Sequence, residues 1–83
     1  MLIEIFVAPE GCPSCGQAER LVRKVASGYA GVEVRDVHVT DAVERVIEYA
    51  VFATPFLVID GRVEFIGMPR ESELRRRLDA ACP

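Results

Sequence analysis

Cys12 and Cys15, separated by Pro13 and Ser14, stand just after the apolar run Leu2-Ile3-Glu4-Ile5-Phe6-Val7 and open a segment with helical periodicity. Two thiols one helical turn apart at a strand-to-helix junction suit disulfide exchange. One thiolate attacks an external disulfide, and the other, on roughly the same face, reaches the sulfur of the first and resolves the mixed disulfide. Pro13 has a fixed φ and no N–H to leave unpaired, which predicts a first helical position for it and places Cys12 at or beside the helix N-cap. There the unsatisfied N–H groups and the positive end of the helix dipole favour an anion, and the thiolate is the attacking form of cysteine.

Other uses of these residues have to be weighed. Both thiols can pack as small inert apolar side chains, although alanine would satisfy that need equally well. A closed zinc site would take Cys12 and Cys15 plus two more ligands, for which only His38 and Cys82 are available, one expected on a strand and the other at the end of the last helix. His38 reads more simply as a solvent-facing strand residue. Cys82, beside Pro83, reads as an exposed terminal thiol, with an intermolecular disulfide as its other use. Thr54-Pro55 by itself is a helix-stopping turn.

The elements that must hold the cysteines can be traced along the chain. Residues 2–7 read as a strand, and Ala8-Pro9-Glu10-Gly11 delivers the chain to Cys12. A first helix is expected from about Pro13 to Ser27, with Ala18, Leu21, Val22 and Val25 forming its apolar face. Residues 32–39 alternate valines with charged residues as a strand with a wet face, and the out-of-phase step at Asp36-Val37 predicts a bulge. Asp41 and Glu44 match a capping box for a second helix with Val43, Val46, Ile47, Ala50 and Val51 as its stripe. Phe56–Ile59 and Val63–Ile66 are short strands around Asp60-Gly61, a pair suited to the positive φ values of a type I′ hairpin turn. A third helix follows Gly67-Met68-Pro69, with Leu74, Leu78 and Ala81 inward.

The resulting order, β-α-β-α-β-β-α, predicts an α/β fold. A parallel crossover joins the first two strands and a hairpin adds an antiparallel edge, giving a mixed four-stranded sheet with three helices. Eighty-three residues leave room for one domain, residues 1–83, and 51% hydrophobic content is enough for a core. With 28% charged residues and a formal charge of −3, no broad basic field is present, which argues against nucleic acid or an anionic membrane as partner. The N-terminal apolar stretch carries Glu4 and stops at Pro9, so it reads as a buried strand rather than a signal peptide or membrane span, and a cytoplasmic location is expected. Three cysteines do not make a disulfide scaffold.

The C-P-x-C motif after the first strand, Thr54-Pro55 before a strand hairpin and the closing Gly67 together resemble the thioredoxin superfamily, in the small glutaredoxin-sized form lacking the extra N-terminal strand and helix. The resemblance covers essentially the whole chain. It implies a thioredoxin-like fold and a protein-disulfide reductase with no bound cofactor, whose redox-active group is a Cys12–Cys15 disulfide. It also implies a cis Thr54-Pro55 bond opposite the cysteines, with Pro13, Ser14, Thr54 and Pro55 contacting substrate. Disulfide-containing proteins are the implied clients and an external reductase the electron donor, with glutathione as the alternative donor and a monomer as the default state.

Departures from the family pattern are also legible. Phe6 stands six residues before Cys12, where thioredoxins bury an aspartate that assists proton transfer, and the chain has no tryptophan. Glutaredoxins carry a lysine three residues before the first cysteine and a Gly-Gly-x-Asp stretch that hold glutathione, whereas this chain has Pro9 and Ile66-Gly67-Met68-Pro69. Three function classes follow: a dithiol protein-disulfide reductase, a glutathione-dependent glutaredoxin, and a non-catalytic thiol-sensing or binding module.

Overall fold

The computed structural model describes residues 1–81. Its elements are β1 (Leu2–Val7), α1 (Cys15–Ala26), β2 (Glu33–His38), a short 3-10 turn (Val39–Asp41), α2 (Val43–Tyr49), β3 (Phe56–Ile59), β4 (Arg62–Ile66) and α3 (Glu71–Ala81). The sheet order is β2-β1-β3-β4, with β1 parallel to β2 and antiparallel to β3, and β3 antiparallel to β4. This is the expected mixed four-stranded sheet with three helices.

β1, apolar apart from Glu4, and β3, apolar throughout, belong at the centre because both of their faces are covered. Ile3, Ile5 and Val7 of β1 join Leu57 and Ile59 of β3 beneath α1 and α3, which contribute Val22, Val25, Leu74 and Leu78. On the opposite face Phe6, Phe56 and Val58 pack with Val51, Val46 and Tyr49 under α2. α1 carries the expected stripe, extended at its start by Cys15.

Several expectations change. β2 pairs with β1 in continuous register from Leu2 opposite Glu33 to Val7 opposite His38, with no bulge. The change of phase arises because this edge strand serves both layers, Val32 and Val34 packing on the α1–α3 side and Val37 and Val39 on the α2 side. The irregular register lies instead between Leu57 and Val58, against β4. The capping box does not form either. Asp41 is taken into the 3-10 turn closed by the Ala42 N–H on the Val39 carbonyl, and Ala42 becomes the N-cap without a side-chain cap bond. α2 turns Ala42, Val46 and Tyr49 to the sheet, leaving Val43 and Ile47 exposed. Ala81 of α3 is exposed rather than inward.

The hairpin follows expectation. Ile59 and Arg62 form the last pair, so the turn is Asp60-Gly61 alone, with φ 47° and 86°. Both central residues of a type I′ turn need positive φ, and Asp and Gly adopt it with least strain. Asp60 also closes the neighbouring strand, its N–H donating to the Leu2 carbonyl at 2.9 Å while its Oδ1 accepts from the Leu2 N–H at 2.7 Å.

Candidate active site

Cys12 and Cys15 are joined as a disulfide, with Sγ atoms 2.01 Å and Cα atoms 5.5 Å apart. α1 begins at Cys15, so Pro13 is not its first residue and Cys12 lies ahead of the N-cap, which is Ser14. The reason is local. The Cys15 N–H donates to the Cys12 carbonyl at 3.3 Å, closing a four-residue turn with Pro13 second, where its fixed φ fits equally well. The first α-helical bond follows, from the Ala18 N–H to the Ser14 carbonyl at 2.9 Å.

The two sulfurs sit in different surroundings. Cys15 is 4% exposed and belongs to the apolar cluster of Ile5, Val7, Val22 and Leu57. Cys12 is half-buried at the edge of that cluster, with Pro13 exposed and Ser14 half-buried beside it. An incoming group can therefore approach Cys12 while the protein covers Cys15.

Strand register gathers the remaining site residues at the same end of the sheet. Phe6 pairs with Phe56, and Phe56 with Ile66, so Pro55 lies at the end of β1 from which the cysteine loop departs. The Thr54-Pro55 bond is cis, with Pro55 buried and Thr54 half-buried. The Gly67 N–H donates to the Pro55 carbonyl at 2.8 Å, bringing the β4–α3 loop against the proline. Phe52 is 80% exposed, and with Ile66 and Met68 it leaves apolar side chains open to solvent in the segments flanking Thr54-Pro55.

His38 ends β2 beside Val7 but is exposed, and no group of three or more His, Cys, Asp or Glu side chains suited to a metal occurs among the described residues. The expectations for Cys82 lie outside the described residues.

Sequence reasoning missed the polar group under this site. Phe6 is fully buried, stacked on Phe56 at 4.5 Å and met edge-on by Tyr49 at 5.9 Å. Two residues earlier on the same strand face, Glu4 is 8% exposed. Arg45 of α2 donates to both of its carboxylate oxygens at 2.7 Å and to the Tyr49 hydroxyl at 3.0 Å, with its guanidinium 5.0 Å from the Phe6 ring centroid. The hydrogen bonds from Arg45 hold the Glu4 carboxyl below its ordinary range against the opposing effect of burial, and the charges of Arg45 and Arg35 add to the lowering. The same bonds, to Glu4 and then to Tyr49, raise Arg45. A charge inside an otherwise apolar central strand was the available signal, since such a residue needs a partner of opposite sign.

Comparison with known proteins agrees with this geometry. A thioredoxin-domain family model matches residues 1–79. The thioredoxin of Methanocaldococcus jannaschii is 41% identical over 73 residues, covering 87% of this chain and 85% of its own. A probable thioredoxin of Methanothermobacter thermautotrophicus is 33% identical with the same coverage. Among solved structures, thioredoxin 1 of Thermosipho africanus superposes with a TM-score of 0.78 over 98% of this chain and 93% of its own, at 18% identity. Fasciola hepatica thioredoxin gives 0.72 over 95% and 78%, at 26% identity. With its cysteine pair at the end of the central strands of this fold, the chain belongs to the thioredoxin family and is a thiol–disulfide oxidoreductase.

Proposed function

We propose that the chain works in the reducing direction on disulfides of client proteins, with Cys12 as nucleophile, Cys15 as resolving thiol, and Pro13, Ser14, Thr54 and Pro55 as the surface that receives the client. The unequal burial of the two sulfurs carries the choice of Cys12 as nucleophile and Cys15 as resolving thiol. In the reduced protein the Cys12 thiolate attacks one sulfur of the client disulfide. The bond to the second client sulfur breaks, and that sulfur leaves as a thiolate and takes up a proton. Cys15, after losing its proton, attacks the Cys12 sulfur; the mixed disulfide breaks, the client sulfur that Cys12 first attacked leaves as a thiolate and takes up a proton, and the Cys12–Cys15 disulfide forms. Two electrons pass from the protein to the client, and an external dithiol reductase restores them.

Protein clients fit the site better than glutathione does. Residues 51–56 and 65–69 carry no charge, leaving the two carboxylates of that tripeptide without the cations that would pair with them. Arg70, the nearest cation in sequence, faces Glu73 at 4.0 Å. A segment with apolar side chains flanking its disulfide would meet Phe52, Ile66 and Met68 instead. We place the protein in the cytoplasm, in keeping with three cysteines that do not make a disulfide scaffold, and as a monomer, in keeping with a core that accounts for most of its large apolar side chains.

Trapping tests the assignment. Cys15→Ser should hold a reducible mixed disulfide through Cys12, detectable by intact mass, whereas Cys12→Ser should form none and lose insulin-disulfide reduction with dithiothreitol as electron source. Retained reduction in Cys12→Ser would refute the nucleophile. Full activity of Cys15→Ser with glutathione would instead favour the monothiol, glutathione-linked class.

A further inference from the structure

We infer that Arg45 is the positioning residue of the client platform, acting through Glu4 and the aromatic trio Phe6, Tyr49 and Phe56. The observations form a connected path. Arg45 grips both oxygens of Glu4 on β1 and the hydroxyl of Tyr49 on its own helix. Its guanidinium lies over Phe6 at 5.0 Å and over the Tyr49 ring at 5.6 Å. Phe6 stacks on Phe56, and Tyr49 meets Phe56 edge-on at 6.3 Å. Phe56 is bonded to Pro55, whose carbonyl accepts the Gly67 N–H. Phe6 faces the other way along the chain as well, since its strand leads directly into the cysteine loop.

Arg45 thus closes the trio that joins the two halves of the site, on the sheet face opposite the Cys15 cluster. The bidentate fork gives direction as well as charge, which an ammonium group lacks. Glu4 has a different task from an internal acid that exchanges protons. It is locked in an ion pair, and its strand face carries Phe6 rather than the residues around Cys15. The inference depends on Thr54 and Pro55 receiving the client as proposed above.

The test compares insulin reduction with reduction of hydroxyethyl disulfide, a small substrate with no polypeptide for the platform to hold, both with dithiothreitol as electron source and well below each variant's melting temperature. Arg45→Met should lower kcat/KM for insulin about tenfold, mainly through KM, and leave the small disulfide and the alkylation rate of reduced Cys12 within about twofold of wild type. Arg45→Lys, which keeps the charge and loses the fork, should fall between the two. Glu4→Leu with Arg45→Met removes the unpaired carboxylate, since an apolar pair can replace a buried ion pair without loss of stability. This double variant should remain folded and keep the insulin defect.

Equal losses on both substrates, or none on either, would make Arg45 a purely structural residue and overturn the inference. Wild-type insulin kinetics in the double variant would overturn it too, because filling the space would then suffice. Pro55→Ala separates the two levels. If it impairs insulin selectively while Arg45→Met does not, only the role of Arg45 falls; if Pro55→Ala has no selective effect, the platform falls and the inference with it.

Discussion

Glu4 is the one charged residue that the core admits among the described residues, and its worth depends chiefly on Arg45. A carboxylate at 8% exposure has lost most of its water, so removing its partner leaves a penalty rather than merely deleting an attraction. The Arg45 side chain is 40% exposed, and solvent there weakens the Coulomb part. Arg45→Met should therefore destabilise the protein by about 1–3 kcal/mol at pH 7 in urea unfolding, below the value for a fully buried pair. The pH dependence has a definite sign. Because the folded protein holds Glu4 below its ordinary range, its contribution is fully present above the unfolded-state value and disappears as pH falls through the folded-state value. Stability of the wild type measured from neutral pH into the acid range should fall faster than that of Glu4→Gln, and the two curves should converge at the acid end. Parallel curves would mean that Glu4 titrates alike in both states. Glu71 is also lowered by Arg75 and Lys24, but it is solvated, so the comparison with Glu4→Gln is needed to isolate the buried group.

At the scale of elements, the β3–β4 hairpin shows how a turn can hold a strand it does not belong to. Asp60 supplies a positive φ and, through Oδ1, an acceptor for the first N–H of β1. Asp60→Ala loses both, and a cost of about 1–2 kcal/mol is expected in thermal or urea unfolding, whereas Asp60→Asn keeps a side-chain oxygen as acceptor and the left-handed preference and should stay near wild type. An equal loss in both variants would show that the acceptor is unimportant. This turn was legible in sequence because its chemistry is local: Asp-Gly between apolar runs leaves few alternatives. The cysteine motif and Thr54-Pro55 were legible for the same reason, as short patterns at element boundaries. α2 was not. Its seven residues form about two turns, and Val43, Ile47 and Ala50 are spaced as plausibly as Ala42, Val46 and Tyr49, so periodicity could not choose its inward face. The choice comes from the tertiary pairing of Arg45 with Glu4, separated by 41 residues, which no local pattern encodes. The valines of β2 misled in a related way, since a strand at the sheet edge can divide its apolar residues between both layers without any break in register.

For the molecule as a whole, the decisive fact is that both core layers share the same two central strands. Peeling α3 away would uncover Ile3, Ile5, Leu57 and Ile59, and those strands carry Phe6, Phe56 and Val58 on their other face. Neither layer has a sheet of its own on which to persist, so unfolding should be one transition. The chain's two tyrosines make this measurable, because Tyr29 packs with the α1–α3 layer and Tyr49 with the α2 layer, and no tryptophan obscures them. In Tyr29→Phe and Tyr49→Phe the remaining tyrosine reports one layer each, and within each variant its urea midpoint should equal that from far-ultraviolet circular dichroism. Adding Leu78→Ala, which empties a fully buried position in the first layer, should cost about 2–5 kcal/mol, a large share of the stability of so small a protein. Its effect should appear undiminished at Tyr49, on the far side of the sheet. A Tyr49 signal that outlasts Tyr29 would show that the layers melt separately. Under the shared-strand arrangement insulin reduction should fail at the common midpoint, because the cysteine loop and Pro55 both extend from β1 and β3, the strands that hold the two layers together.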